Sequence, residues 1–381
     1  MPAVPPPITA TSTFRSCMMW TPWDRKSKAW INSNAKTDPC GLRALSSRWP
    51  LTWRIRLAAI MASGFTASPA VLRSLASLFF YARFVRSFSA LGYRRAVGDQ
   101  DSLAPDFSGQ TWLVTGATGG IGRSIALQAN HHGARVLAVA RSQDRLKALK
   151  SEADKPGRLV PLAADLSLVD TVRQLPSKRS VQNRPIDVLV NNVGVLLNDH
   201  RVTEEGLETS FATNLLGPFV LTEELKEAGW LAADGVVINV SSGGMYGSPL
   251  KLEPMNCTDP DRFDGMNAYA MHKRALVELT RWWNGQWQGG PVAHVMHPGW
   301  VDTEGVRTSL PIFRKTLQRV LRTPEQGADT VLWLADQRPS PEPDGGIWLD
   351  RSLQPEHEFA WTRRSPHTAE DLVAYLRRMA G

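Results

Sequence analysis

A serine, a tyrosine and a lysine in this 381-residue chain have the types and the spacing of an acid–base site. The apolar run 235–240 closes on Ser241 and Ser242, a pattern typical of a strand buried on both faces of a parallel sheet. Such sheets place ligands at the carboxyl ends of their strands. Tyr269 and Lys273 lie four residues apart in a helical pattern and share one helix face. The sequence therefore predicts that a hydroxyl, a phenol and an ammonium meet at one sheet edge.

The chemistry open to this trio is proton exchange with an alcohol or carbonyl oxygen. A phenol with a pKa of about 10 is a poor acid–base catalyst at neutral pH, but a nearby cation favours the phenolate and lowers that pKa. Tyr269 would then exchange the proton while Ser242 hydrogen-bonds the same oxygen. A tyrosine four residues before a lysine also arises by chance, so the motif needs support from the rest of the chain.

A glycine-rich turn is the predicted binding site for a dinucleotide. It lies inside a βαβ unit, directly after the first strand of the chain. Because Gly116, Gly120 and Gly122 lack Cβ atoms, the backbone can approach a pyrophosphate at the helix N-terminus. A tight strand–helix turn without a ligand is the alternative. The predicted strand, helix and strand of this unit span 110–114, 123–132 and 135–140.

The end of the second strand predicts which nicotinamide dinucleotide binds. A protein that selects NAD usually carries an acid about twenty residues beyond the glycines, where it binds the ribose 2′-hydroxyl. Here Ala140 is followed by Arg141, and a guanidinium suits the 2′-phosphate of NADP. We therefore expect a preference for NADP(H), with NAD(H) as the second choice. A solvated arginine at a loop mouth is the alternative interpretation.

The alternation continues through the chain and predicts a Rossmann-like, doubly wound parallel α/β sheet. Asn214 falls inside a predicted helix although asparagine is a poor helix former. Further strands are predicted at 159–162, 187–190, 235–240, 292–296 and 346–349. Further helices are predicted at 168–175, 204–228, 324–335 and 368–380, besides the one that carries Tyr269.

Charge and composition limit the classes of partner. The net charge is +8, but residues 1–98 carry fourteen Lys/Arg against two acids, which leaves −4 for the rest. The basic balance therefore belongs to the N-terminal region and gives no argument for nucleic-acid binding by the body. Three cysteines form no disulfide framework, so we expect a reducing compartment, the cytoplasm first, with mitochondria or a membrane surface as alternatives. Eight histidines show no metal-ligand spacing, and no metal is predicted.

The N-terminal region divides into two parts. Residues 1–68 are predicted to be a disordered extension, because they show no sustained period. Residues 69–92 have apolar residues at helical spacing interrupted by arginines, with Gly92 as the predicted stop. The arginines argue against a transmembrane span. A helix docked on the main domain, a helix lying on a membrane surface and a transit segment remain as alternatives.

Five motifs in order make this chain resemble the short-chain dehydrogenase/reductase family over about 108–352. They are Thr115-Gly-x3-Gly120-x-Gly122, Asn191-Asn192-x-Gly194, Ser242, Tyr269-x3-Lys273 and Pro298-Gly299-x-Val301-x-Thr303, with Asp165 and Asn214 at the family's positions between them. The resemblance implies one Rossmann-like domain at 108–352, preceded by a helix and linker at 69–107. It leaves 353–381 as a C-terminal tail with a short helix.

The resemblance also implies the roles of individual residues. Tyr269 resembles the catalytic acid/base, and Lys273 the group that lowers its pKa and binds the nicotinamide ribose. Ser242 resembles the donor to the substrate oxygen, and Asn214 the helix-kinking residue that holds a water in the proton relay. Val193 stands where the family mostly has alanine. The implied cofactor residues are Gly116, Thr118, Gly120, Ile121, Gly122, Arg141, Asp165, Leu166, Asn192, Gly194, Tyr269, Lys273, Pro298, Gly299 and Thr303.

The function predicted from these features is the NADP(H)-dependent interconversion of an alcohol and a carbonyl compound. A weakly catalytic, cofactor-binding redox sensor or scaffold is the alternative. Residues 243–266 are predicted to be a mobile, substrate-gating lid, because glycines could act as hinges and Met245, Tyr246, Leu250 and Leu252 could supply apolar contacts. An insertion packed away from the cleft is the alternative. On that basis we expect a bulky, apolar small-molecule substrate. Membrane contact through 69–92 and assembly into a homo-oligomer stay open.

Overall fold

A sheet of eight strands runs through the computed structural model of this chain, which describes residues 84–98, 103–182, 184–342 and 345–381. All of these residues belong to one unit, Ala67–Gly381. The predictions for residues 1–68, and for most of the helix at 69–92, lie outside the described residues. The strands are β1 Thr111–Thr115, β2 Arg135–Ala140, β3 Leu159–Ala163, β4 Ile186–Asn191, β5 Leu231–Val240, β6 Val292–Met296, β7 Ile347–Leu349 and β8 Ser352–Gln354.

The strands are ordered β3-β2-β1-β4-β5-β6-β7-β8. Neighbours from β3 to β7 pair in parallel, and β8 pairs antiparallel to β7. The chain reverses its direction of winding between β1 and β4, and ligands of such sheets bind at the carboxyl ends of the strands beside this switch point. The predicted fold class, a Rossmann-like doubly wound sheet, is confirmed.

Helices cover both faces of this sheet. Because neighbouring side chains of a strand point to opposite faces, Leu113 packs into one core cluster while Trp112 and Val114 pack into the other. The helices are α1 Ala90–Val97, α2 Gly120–His131, α3 Gln143–Glu152, α4 Val169–Arg173, α5 Arg179–Gln182, α6 Thr209–Phe211, α7 Gly217–Glu227, α8 Gly265–Gln286, α9 Glu304–Ser309, α10 Pro311–Leu317, α11 Pro324–Gln337 and α12 Ala369–Ala380.

Several element boundaries differ from the sequence predictions. The helix expected at 204–228 starts later, because the buried carboxylate of Glu208 caps its first turn by accepting from the Ser210 and Phe211 amides. It then passes from α6 through the π-helical turn Ala212–Leu216 into α7. At the C-terminus, α12 is not part of a tail, since Leu372 and Leu376 are buried in the core beside α8. Strand β8 and helices α3, α5, α9 and α10 were not predicted.

The described part of the N-terminal helix is docked on the sheet domain. Residues 84–88 are helical, Ser89 interrupts the helix and caps α1, and Gly92 lies inside α1. The predicted stop at Gly92 is therefore wrong. Phe84 and Phe88 are buried in a cluster with Tyr246, Val277 and other residues of the body. Among the described residues, no helix is both long and apolar enough to span a bilayer.

Candidate active site

The carboxyl end of β5 is tied to helix α8 through Lys273. The Nζ of Lys273 donates to the backbone oxygen of Val240, the last residue of β5, at 2.8 Å. The hydroxyl of the next residue, Ser241, donates to the backbone oxygen of Lys273 at 2.7 Å. Lys273 is only 2% exposed, and burial lowers its pKa to about 8. These contacts bring the face of α8 that carries Tyr269 to the end of β5.

Ser242 and Tyr269 lie near each other at the turn after β5, because a Cβ placed on Gly244 would lie 3.7 Å from Ser242 Oγ and 4.0 Å from Cδ1 of Tyr269; the structure therefore brings the predicted trio together. Burial raises the pKa of Tyr269 above the ordinary value of a phenol, and the nearby Ser242 side chain offsets part of that rise. The sequence analysis expected Lys273 to lower the pKa of Tyr269, and this lowering is not seen in the structure. The ammonium of Lys273 lies 5.8 Å from the centre of the Tyr269 ring and donates to the Val240 oxygen. Tyr269 is therefore a protonated phenol at neutral pH.

Asn214 lies in the π-helical turn, fully buried, which accounts for an asparagine in mid-helix. Its Oδ1 accepts from the Val195 amide at 2.7 Å, and its Nδ2 donates to the Val195 oxygen at 2.8 Å. The π turn widens the helix at this point and directs the amide to the loop after β4. A Cβ placed on Gly194 would lie 3.1 Å from Lys273 Nζ and 3.6 Å from Asn214 Oδ1. Gly194 therefore joins Asn214 and Lys273 in one site.

The glycine-rich turn between β1 and α2 has the geometry that its sequence predicts. Gly116 and Gly120 adopt φ angles of +65° and +50°, which side chains with a Cβ rarely tolerate. A Cβ on Gly122 would lie 2.3 Å from the Gly116 oxygen and 2.4 Å from Asn192 Nδ2. Since α2 begins at Gly120, the amides of its first turn lack partners within the helix and can bind an anion.

Thr115 joins this turn to the loop after β4. Its hydroxyl donates to the Val190 oxygen at 3.1 Å and accepts from the Asn192 and Val193 amides at 2.9 and 3.0 Å. The side chain of Asn192 donates back to the Thr115 oxygen at 2.8 Å. The larger side chain of Val193 packs against the core. Thr115 was quoted in the sequence motif, but its bridging role depends on the β1–β4 pairing and was not predicted.

The residues around the turn form a cradle that fits a dinucleotide. A cavity of about 310 Å³ is lined by Thr118, Gly120, Arg145, Thr303 and further residues of α2, α9 and α11. A Cβ on Gly120 would narrow it, because that atom would lie 3.0 Å from Thr303 Cγ2. Ile121 of α2 packs against the core, and Thr303 caps α9 by accepting from the Val306 amide. Glycines therefore leave the space that a pyrophosphate needs.

The residues predicted to bind the adenosine half lie at the ends of β2 and β3. Arg141 is exposed directly after β2. Arg145, which the sequence analysis missed, donates to the Thr118 oxygen at 3.2 Å and pairs with Glu304 at 3.4 Å. Its position at the start of the helix after β2 was the available signal. Asp165 accepts from the Ser167 amide and hydroxyl at 3.0 and 2.8 Å, which fixes the turn after β3, and the neighbouring Leu166 is buried.

Pro298 and Gly299 form the loop after β6. Gly299 has a φ of +73°, and a Cβ there would lie 2.4 Å from Arg322 Nε. The buried guanidinium of Arg322 donates to the Pro298 oxygen at 3.2 Å and pairs with Asp350. Neither Arg322 nor Asp350 was predicted to support the site, because they are distant from the loop in sequence.

The predicted lid at 243–266 is wrong in its main feature. Met245, Tyr246, Leu250 and Leu252 are at most 8% exposed, and they belong to the core clusters of the domain. Arg274 holds this segment in place by donating to the Met245 and Ser248 oxygens. These apolar side chains therefore stabilise the fold and do not line a substrate cleft. The argument for a bulky substrate that rested on them fails with this prediction.

The chain is similar to known dehydrogenases and reductases. The family model described as short chain dehydrogenase matches residues 110–253. The chain is 37% identical over 313 residues to "Dehydrogenase/reductase SDR family member 12" of Bos taurus, covering 79% of this chain and 96% of the relative. It is 33% identical over 318 residues to the Homo sapiens protein of that name, covering 80% and 97%. A solved angucycline C-6 ketoreductase with bound NADP superposes with a TM-score of 0.50 at 27% identity, covering 61% of this chain and 91% of that chain.

These findings define the class of the protein. An eight-stranded Rossmann-like sheet with a glycine-rich turn after β1 is an NAD(P)-binding fold, and the relatives are dehydrogenases or reductases. The chain belongs to the short-chain dehydrogenase/reductase family. It is an enzyme, an oxidoreductase of that family.

Proposed function

We propose that this enzyme reduces a carbonyl compound with NADPH, with Tyr269 as the proton donor. The observation that carries the proposal is the placement of Tyr269 and Ser242 together at the turn after β5, beside the buried Lys273. When bound, the cofactor supplies the hydride. Ser242 orients the carbonyl oxygen, and Tyr269 gives that oxygen its proton. Burial raises the pKa of Tyr269, so the phenol carries the proton that reduction requires at neutral pH.

Lys273, Asn214 and Gly194 support this chemistry by their placement. Gly194 leaves an exposed face next to the Lys273 ammonium, where a ribose hydroxyl could bind. Asn214 keeps the loop that carries Gly194 at a fixed distance from α8 through its two hydrogen bonds to Val195. In this account Lys273 binds the cofactor's sugar and returns protons towards Tyr269. The roles of Asn214, Ser242, Tyr269 and Lys273 are part of the proposal.

The preference for NADP(H) rests on two arginines. Arg141 follows β2 without an acidic neighbour, and Arg145 lies at the glycine-rich turn. A guanidinium binds a phosphate through charge-assisted hydrogen bonds. The angucycline ketoreductase with bound NADP shows that a related chain takes this cofactor.

A bulky apolar substrate is still proposed, on different residues from those of the sequence analysis. Met266 is 47% exposed and precedes Tyr269 by three residues on α8, so the two side chains share a face. Trp300, at the edge of the loop after β6, is half-buried and packs edge-on against Phe313 of α10 at 5.4 Å. Exposed apolar groups at these places favour a large apolar ketone over a small aldehyde.

The substrate class is tested with Met266→Ala. We expect KM to rise for large apolar ketones and to stay unchanged for small aldehydes, while Val202→Ala, which also removes a 47% exposed apolar side chain, changes neither. Equal changes for both substrate classes would contradict the proposed class. The reaction itself is tested by NADPH oxidation against aldehydes, ketones, steroids and quinones. Absence of turnover with every compound would contradict the reaction.

A further inference from the structure

The turn that carries Ser242 packs against Phe88 of the N-terminal segment, which lies outside the matched family region. Ser242 is followed by the short 3-10 helix Gly243–Gly247. A Cβ placed on Gly243 would lie 2.5 Å from Cε2 and 3.0 Å from Cδ2 of the Phe88 ring. Backbone and ring are therefore in direct contact at the residue after Ser242.

The other side of the same turn faces the proposed site. A Cβ on Gly244 would lie 3.7 Å from Ser242 Oγ and 4.0 Å from Cδ1 of Tyr269. The Gly244 amide also donates to Ser242 Oγ at 3.3 Å. Phe88 and Tyr269 therefore contact neighbouring residues of one turn, and the position of that turn fixes the Ser242 hydroxyl.

Phe88 is itself held firmly by the body of the protein. Its side chain is 2% exposed, and its ring stacks on Phe84 at 4.4 Å and meets the edge of His297 at 4.5 Å. Its backbone oxygen accepts from the Trp300 amide at 2.8 Å and from Arg322 Nε at 2.9 Å. Phe88 therefore cannot move away when the turn moves.

Arg322 connects this contact to the loop after β6. Its guanidinium is 1% exposed, forms a two-pronged ion pair with Asp350, and donates to the backbone oxygens of Ser87, Phe88 and Pro298. A buried, fully bonded arginine of this kind holds its partners in one geometry. The N-terminal segment and the Pro298 loop are thereby fixed to each other.

We infer that Phe88 is a positioning residue that holds the Ser242 hydroxyl against Tyr269 through Gly243. The inference rests on the proposed carbonyl reduction. The backbone oxygen of Phe88 lies against Gly299 in the loop after β6, while its ring contacts the turn that carries Ser242. Phe88 acts by limiting the movement of the turn 242–244, and Arg322 acts by holding Phe88.

The test begins with Gly243→Ala, which inserts a methyl group into the contact with Phe88. We expect kcat to fall by roughly ten- to a hundredfold, as a displacement of about 1 Å costs in other active sites, while KM for NADPH changes little. The matched control is Gly247→Ala, in the same 3-10 helix, where a Cβ meets nothing within 4 Å. Its kcat should equal that of the unmodified enzyme.

Rescue by a smaller side chain separates positioning from general damage. Phe88→Leu removes the ring edge that faces Gly243, so the double variant Phe88→Leu, Gly243→Ala should regain most of the lost kcat. We prefer leucine to alanine because truncation of a buried phenylalanine to alanine costs about 3–5 kcal/mol and endangers folding. A double variant no more active than Gly243→Ala, or a Gly243→Ala variant as active as Gly247→Ala, would overturn the inference.

A second readout does not need turnover. Because the nearby Ser242 side chain lowers the pKa of Tyr269, displacement of Ser242 should raise that pKa, and Phe88→Leu should reverse the rise. The ionisation is measured by ultraviolet absorbance, with Tyr269→Phe subtracted to isolate one phenol. The unmodified enzyme could show no turnover while Gly243→Ala raises the pKa of Tyr269 and Phe88→Leu reverses that rise. This outcome would contradict the proposed function but not the positioning role of Phe88. An unshifted Tyr269 in Gly243→Ala would overturn the positioning role.

Discussion

Asn214 and Val195 pair in both directions: the side-chain oxygen accepts at 2.7 Å and the side-chain nitrogen donates at 2.8 Å. The pair joins the π-helical turn after α6 to the loop that follows β4. It thereby fixes Gly194, whose backbone lies next to Lys273. A side-chain amide is suited to this pairing because it offers a donor and an acceptor together.

Replacement of Asn214 by leucine should therefore destabilise the enzyme. It leaves the Val195 amide and oxygen without their partner, and each unsatisfied buried group costs about 1–3 kcal/mol. Urea unfolding should show the loss, and kcat should fall with it. Asn214→Asp keeps an acceptor for the Val195 amide and should be intermediate. Leucine and aspartate variants of equal stability would show that the pairing contributes little.

Cofactor choice should respond to the two arginines near β2. A charge-assisted hydrogen bond is worth about 1.5–3 kcal/mol, or about ten- to a hundredfold in affinity. Arg141→Ala should weaken NADP binding by that factor and leave NAD binding unchanged. Arg145→Ala should have the same two effects. Titration of each cofactor by fluorescence measures both. Equal affinity of the unmodified enzyme for NAD and NADP would contradict the preference.

The pH dependence of cofactor use should report Lys273. Its pKa is lowered to about 8, so the ammonium is present below pH 8 and is lost as pH rises through that value. If the ammonium binds the ribose, kcat/KM for NADPH, which reports the free enzyme, should fall above pH 8. Tyr269 should not limit the rate in this range, because its pKa is raised. A flat profile up to pH 10 would exclude the cationic role of Lys273.

The sheet and the central trio could be predicted because their signals are local. Apolar, β-branched runs predict buried strands, and the four-residue spacing of Tyr269 and Lys273 predicts a shared helix face. The ion pair of Arg322 with Asp350, and the contact of Phe88 with Gly243, join residues far apart in sequence and have no local signal.

The failed lid prediction has a related cause. Met245 and Leu250 are apolar whether they line a cleft or a core, and only the tertiary packing shows that both are buried. The direction of the Tyr269 pKa was likewise unpredictable, since the spacing places Lys273 on the same face but does not show that its Nζ binds Val240. The catalytic and cofactor roles of the individual residues stay predictions.

Truncation should distinguish the two parts of the N-terminal region. Deletion of residues 1–60 should leave the melting temperature unchanged, because their sequence shows no period and their charge differs from that of the body. Deletion of residues 1–98 removes Phe88 and the bonds of Arg322 to Ser87 and Phe88, and should lower the melting temperature by roughly 5 °C or more. A large fall in the shorter deletion would show that residues 1–60 pack on the domain.

The central claim is that Tyr269 donates the proton in carbonyl reduction. The most direct measurement is steady-state NADPH oxidation by the unmodified enzyme and by Tyr269→Phe, with the best ketone of the panel, together with NADPH binding to both. The phenylalanine variant retains the ring but lacks the hydroxyl that is the proposed proton donor. We predict a fall in kcat of about two orders of magnitude or more with unchanged NADPH affinity. Near-normal turnover by Tyr269→Phe would contradict the account.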